Sequence, residues 1–139
     1  MTSMLKHVVL VFSLALLGCG ARRPITVPVS GEVRLHGRAV DGATVTFFPA
    51  TGRPAHGVTD SSGCFRIRTW TADDGAAPGD YAVCVAKAVP AAERSDNQGY
   101  VWSKNLLPEQ YSQVGTTNLR ATVTKGAANR FVFELNDLK

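Results

Sequence analysis

The stretch Thr59-Asp60-Ser61-Ser62-Gly63-Cys64-Phe65-Arg66-Ile67 constrains the fold more than any other part of the chain. Asp and Ser side chains bond to nearby backbone and hold a tight turn, and Gly63 takes a positive φ without strain. Directly after the turn, Phe65 and Ile67 point to one face and Arg66 and Arg68 to the other, the period of a half-buried strand. In a chain of 139 residues with 13 Gly and 7 Pro, a turn feeding such a strand calls for many short strands, not long helices. Apolar residues make up 45% and charged residues 19%, a globular balance that argues against disorder.

The chain opens on an address. Lys6 precedes residues 8–17, which are apolar except for Ser13. That run is too short to cross a bilayer core, which takes about 20 residues. A positive start, a short apolar run and a small residue before the cut describe a secretory signal. Its ending, Leu16-Leu17-Gly18-Cys19, resembles the bacterial lipobox, in which signal peptidase II cuts before a Cys that carries a lipid. The resemblance implies that Gly18 is the last residue removed and that Cys19 becomes an acylated N-terminus, with palmitate or similar chains. An ordinary signal peptide holding a Cys and a short uncleaved anchor are the competing readings. Gly20, not Asp, follows the Cys, which by analogy permits outer-membrane sorting. Residues 1–18 are thus read as a leader, 19–27 as lipidated Cys and tether, and 28–137 as one domain. In the tether, Arg22 and Arg23 serve either as a polar spacer or as contacts for anionic headgroups.

The formal charge is +4; fifteen basic residues less Lys6, against eleven acidic, leave +3 after the leader. Those charges are scattered, with Arg22-Arg23 the only basic pair, which argues against a nucleic-acid footprint.

Within the domain, Val27-Pro28-Val29-Ser30-Gly31-Glu32-Val33-Arg34-Leu35 alternates cleanly, with Pro28 at the strand's start where its missing N–H is tolerated. Ala43-Thr44-Val45-Thr46-Phe47-Phe48-Pro49 is β-branched and aromatic, and Pro49 stops it. Residues 36–42 read as turn material, and residues 50–58 as loop. Residues 65–69 form a third strand. Asp80-Tyr81-Ala82-Val83-Cys84-Val85-Ala86, after a Pro78-Gly79 turn, is expected to pair with it in antiparallel fashion. Setting Phe65 opposite Val83 keeps both core residues on one face and sets Cys64 opposite Cys84. In an exported protein a Cys64–Cys84 disulfide is then expected. Two part-buried free thiols are the rival, because a directly cross-strand bond is geometrically demanding. Residues 90–113 form a long connection with Tyr100, Trp102 and Leu107-Pro108-Glu109-Gln110-Tyr111. Residues 119–124 and 130–135 give two closing strands, with Phe131, Phe133 and Leu135 in register for a core.

Ser30-Gly31-Glu32-Val33, Gly42-Ala43-Thr44-Val45-Thr46-Phe47, the turn from Thr59 to Phe65, and Pro78-Gly79-Asp80-Tyr81-Ala82-Val83 together are similar to the carboxypeptidase regulatory-like domain. Asp74-Gly75-Ala76, Leu107-Pro108-Glu109-Gln110-Tyr111 and Val123-Thr124-Lys125-Gly126 further resemble a subset of small bacterial lipoproteins built on that domain alone. The resemblance implies an all-β, transthyretin-like (prealbumin-type) sandwich of about seven antiparallel strands. Such domains stand beside catalytic units and do no chemistry themselves.

Catalytic patterns point the same way. His36 and His56 stand alone beside Gly in turns, without a second ligand at zinc spacing, and His7 lies in the leader. No nucleophile elbow, phosphate loop or dinucleotide fingerprint occurs. Some transthyretin-fold proteins hydrolyse a purine breakdown product and end in Tyr-Arg-Gly-Ser. This chain ends Asn136-Asp137-Leu138-Lys139. Asp73, Asp74 and Asp80 flank a turn and invite Ca²⁺, against the default reading of turn capping. No metal or cofactor is expected. Trp70, Tyr100 and Trp102 fall in loops, where aromatics either cover open edges or stack on sugars. The resulting expectation is a non-catalytic, lipid-anchored envelope module on the exported side, in periplasm or at the surface. Its partners are the membrane and an envelope protein, with no nucleic acid. The alternative is a carbohydrate-binding module for wall polysaccharide using the loop aromatics.

Overall fold

The computed structural model describes residues 20, 22–90 and 103–137. The chain is all-β. Its ten strands among the described residues are β1 (Val29–Leu35), β2 (Arg38–Ala39), β3 (Thr44–Pro49), β4 (Ala55–Val58), β5 (Cys64–Arg66), β6 (Gly79–Ala86), β7 (Ala88–Pro90), β8 (Ser103–Asn105), β9 (Arg120–Val123) and β10 (Asn129–Leu135). One 3₁₀ turn, Glu109–Tyr111, interrupts them.

Two four-stranded sheets hold the core between them. In one, β1 is central, with β10 on one side and β2 and β5 sharing the other. The second runs β4-β3-β6-β9. β7 and β8 pair antiparallel as a separate two-stranded sheet. Buried side chains from both sheets join one cluster: Val29, Val33, Phe65, Phe133 and Leu135 from the first, Val45, Phe47, Val83, Val85 and Val123 from the second. The alternation read from the sequence is therefore the alternation of the fold. Val29 and Val33 are buried while Ser30, Glu32 and Arg34 face out, and Phe65 and Ile67 are buried while Arg66 and Arg68 are exposed.

Two expectations are corrected. The strands are not all antiparallel: β1 and β10 run parallel along their whole length, from Val29 beside Asn129 to Leu35 beside Leu135. And β5 does not pair with β6. It pairs with β1, Gly31 beside Phe65, while β6 pairs with β3 and β9. Alternation reports which side chains face inward but not which sheet carries them, so Phe65 and Val83 meet the same pattern from opposite sides of the core. Residues 59–63 are accordingly a corner where the chain changes sheets. Asp60 Oδ1 accepts the N–H groups of Ser62 (2.9 Å) and Cys64 (3.0 Å), and Gly63 has φ 76°. Three further strands lie where loop or turn was expected: β4, β2 and β8, the last within the connection over residues 90–113.

Phe47 sits fully buried at the middle, its ring centroid 5.6–6.4 Å from those of Phe65, Tyr81, Phe131 and Phe133. Truncating a buried Phe to Ala removes its transfer free energy and leaves a cavity. Phe47→Ala is expected to lower stability by about 3–5 kcal/mol in urea unfolding, with an unchanged slope. A loss below about 1 kcal/mol would mean that the ring is not the hub the packing makes it.

Candidate functional site

Beyond Ile67 the chain folds into a tight loop that presents Trp70. Asp74 organises it: its carboxylate accepts the N–H groups of Thr69 (2.6 Å), Trp70 (3.0 Å) and Thr71 (3.1 Å). Thr69 Oγ1 donates to the Gly75 carbonyl at 2.7 Å. Burial alone would raise the Asp74 pKa, but these backbone donors together outweigh it and hold the carboxyl below its usual range. Gly75 has φ 80°, and a Cβ there would run into the Val27 carbonyl, so only Gly lets the incoming tether lie this close. That tether closes a two-way bridge, Val27 N–H to Ala76 O (2.9 Å) and Ala76 N–H to Val27 O (3.1 Å).

The tether also carries Arg23 over the Trp70 ring, its guanidinium carbon 5.0 Å from the centroid. Arg53, from the loop after β3, stands 4.9 Å from the same centroid. Contacts of this kind contribute about 0.5–1 kcal/mol at exposed sites. The indole Nε1–H is shut off from solvent and has no partner among the described residues. A cavity of about 260 Å³ opens here, lined by Arg22, Arg23, Arg53, Trp70, Pro49 and Tyr81, among others, with no acidic side chain in its wall. Burial pushes the Tyr81 phenol up, and its hydroxyl donates to Ala77 O at 2.6 Å.

A second, wider groove of about 590 Å³ lies between β4 and β5. Arg66 and Arg130 flank Ser30 on neighbouring strands, and Arg68 Nε donates to His56 Nε2 at 3.2 Å. Asp73 stands 3.7 Å from Arg66, and Asp60 is occupied by its own turn. His56 is therefore on a strand, not in a turn, whereas His36 is a turn residue 3.2 Å from Asp137. Asp73, Asp74 and Asp80 do not converge: Asp80, on β6, accepts from Thr122 Oγ1 at 2.6 Å. Among the described residues no three His, Cys, Asp or Glu side chains gather as a metal site.

Of the aromatic trio, Trp70 is partly exposed, and two guanidinium groups already lie against its ring; Tyr100 and Trp102 lie outside the described residues, as do Gly18 and Cys19. The expected Cys64–Cys84 disulfide is corrected: both are free. Cys64 lies on the outer face of the β1 sheet beside Glu32. Cys84, beside Thr46 in the opposite sheet, is buried yet outside the core cluster. Sheets packed about 10 Å apart put such outward-facing thiols beyond the Cα separation of up to about 7 Å that a disulfide bridges. Burial raises the Cys84 thiol pKa, opposed by Arg120.

The Trp70–Arg53 pairing was invisible to sequence reasoning, because residues so far apart share no periodicity. The signal available was Arg22-Arg23 beside a tether and a lone loop Trp.

No protein-family model matches the chain, and no curated protein matches it. Among solved structures, a 9R-lipoxygenase from Cyanothece PCC8801 is similar at a TM-score of 0.42 and 13% identity, over 83% of this chain and 17% of that one. A likeness at this level carries no argument about fold or activity.

Asp74 makes a pH prediction. A carboxyl with a lowered folded pKa contributes stability above about pH 4 that is lost as the pH falls below it. Asp74→Asn is expected to cost about 1 kcal/mol at pH 7, tempered by solvent screening. The gap to wild type should shrink toward pH 3, and an equal gap at both pH values would overturn this role. For the cysteines, alkylation of the denatured, unreduced protein followed by peptide mass mapping should modify both Cys64 and Cys84. A Cys64–Cys84 linked peptide would overturn the sheet assignment.

Proposed function

We propose that the chain is a lipid-anchored, non-catalytic β-sandwich of the transthyretin-like, carboxypeptidase regulatory-like kind, held on the exported side of a cell envelope as a module for binding another envelope protein. The observation that carries this reading is Leu16-Leu17-Gly18-Cys19 at the end of an apolar run, a few residues before a tether that enters the domain at Val27. Two features of the fold support it. Each motif behind the family resemblance lies on a strand or a corner: Ser30-Gly31-Glu32-Val33 on β1, Gly42 to Phe47 entering β3, the Asp60 turn before β5, and Pro78 to Val83 entering β6. Second, β10 pairs with β1 on one side only. Its other edge has no strand partner among the described residues, and Val132 on it is 56% exposed. An open seven-residue edge offers main-chain hydrogen bonds to a partner strand.

One experiment reads both halves of the proposal. A photo-crosslinking residue at Val132 is expected to give a discrete adduct with an envelope protein in the membrane fraction of intact cells. The same chain with Cys19→Ala should lose lipid label, leave the membrane fraction and lose the adduct. A Cys19→Ala chain that keeps both label and membrane association overturns the anchor, and a wild-type chain without an adduct overturns edge docking.

A further inference from the structure

The end of the sandwich that carries Trp70 gathers cations around an aromatic ring. Arg22, Arg23 and Arg53 stand around one small cavity with no carboxylate in its wall. The carboxylates closest in sequence are engaged elsewhere: Asp74 by three backbone N–H groups of its own loop, Asp73 beside Arg66. Between the arginines and the first bridge to the sandwich, Ile25 is 72% exposed, the most exposed of the large apolar residues on the described surface. Trp70 lies partly exposed beneath the guanidinium groups with its Nε1–H unpartnered. Guanidinium groups, an exposed aliphatic side chain and a partly exposed tryptophan ring make the combination that suits a membrane–water interface. There cations meet phosphates, apolar side chains enter the acyl boundary, and an indole ring sits at the level of the headgroups.

Position adds to composition. Cys19 precedes Arg22 by three residues, so even a fully extended chain places a lipid on that Cys within roughly 10 Å of Arg22. A tether that short cannot turn the opposite end of the domain toward the bilayer while the Val27–Ala76 bridge is intact.

Resting on the lipid-anchor reading above, we propose that Arg22, Arg23, Arg53, Ile25 and Trp70 form a docking face for an anionic phospholipid surface, which fixes the sandwich upright on its membrane. The arginines take the headgroup phosphates, Ile25 enters the boundary, and the partly exposed Trp70 ring lies at the headgroup level beneath the guanidinium groups. Each arginine contributes about fivefold to the docked population at low salt, and screening weakens all three together.

The test uses the full chain purified from cell membranes, carrying Trp102→Phe so that Trp70 is the only tryptophan. Its mass is measured first, then it is placed in vesicles of phosphatidylcholine alone or of phosphatidylcholine with phosphatidylglycerol, each containing a lipid with a headgroup-level quencher. Stronger quenching of Trp70 in the anionic vesicles, falling with added salt and with Arg53→Glu, is the expected result. Arg53 lies outside the tether, so this variant leaves the Val27–Ala76 bridge in place, and the salt series needs no variant at all. Equal quenching in both vesicles overturns the docking face even if the mass shows the lipid. A mass without lipid overturns the anchor reading instead. The same protein then reports on the face by flotation: phosphatidylglycerol-dependent flotation upholds it, and none overturns it.

Discussion

The two sheets are held in one arrangement by the fit of Phe47 against the ring cluster opposite. Phe47 rises from the β3 sheet and meets Phe65, Phe131 and Phe133 of the other. Room for those rings comes from β1, where Gly31 stands in register between Phe65 and Phe131. A Cβ at Gly31 would strike the Phe131 carbonyl and the Phe65 ring. A missing side chain on the central strand and a large one on the facing sheet are thus two halves of one packing solution, and edge-on contacts of such rings add to their burial.

Where the chain changes sheets, buried polar side chains finish the backbone bonding. Thr59 Oγ1 accepts the Ala43 N–H at 2.8 Å beside the corner at residues 59–63. Between β9 and β10, the Asn129 amide accepts from Thr124 N (2.8 Å) and donates to Thr124 O (2.9 Å) and Ala127 O (3.3 Å), joining the two strands. Thr117 Oγ1 donates to Val83 O at 2.7 Å, and Tyr111 Oη exchanges two bonds of 3.1 Å with the backbone of Asn136. These groups are bonded because an unpaired buried polar atom destabilises strongly. The Trp70 indole nitrogen is the exception among the described side chains: it is shut off from solvent and has no partner there.

The strands with plain alternation, β1, β3, β6 and β10, were legible because burial of one face imposes a two-residue period on the sequence. β4 was not. Ala55-His56-Gly57-Val58 buries only the small Ala55 and Gly57, and Gly57 passes so close to the Arg66 carbonyl that a side chain would not fit. Partner choice was hidden for a different reason: an inward-facing residue looks the same in sequence whether its neighbour sits beside it or across the core, and this misplaced Cys64 against Cys84. At the Trp70 end the sequence showed the aromatic and the Arg22-Arg23 pair. Arg53 could only be added once folding had brought the loop after β3 beside the tether.

The parallel union of β1 with β10 has a consequence for the order in which the chain acquires its shape. The first long strand finds its flanking partner about a hundred residues later, and loop closure over such a span makes long-range pairing slow. A chain emerging N-terminus first from a ribosome therefore keeps one edge of β1 unsatisfied until residues 129–135 arrive. Such delay leaves the last strand as the latch that turns an extended chain into a closed domain.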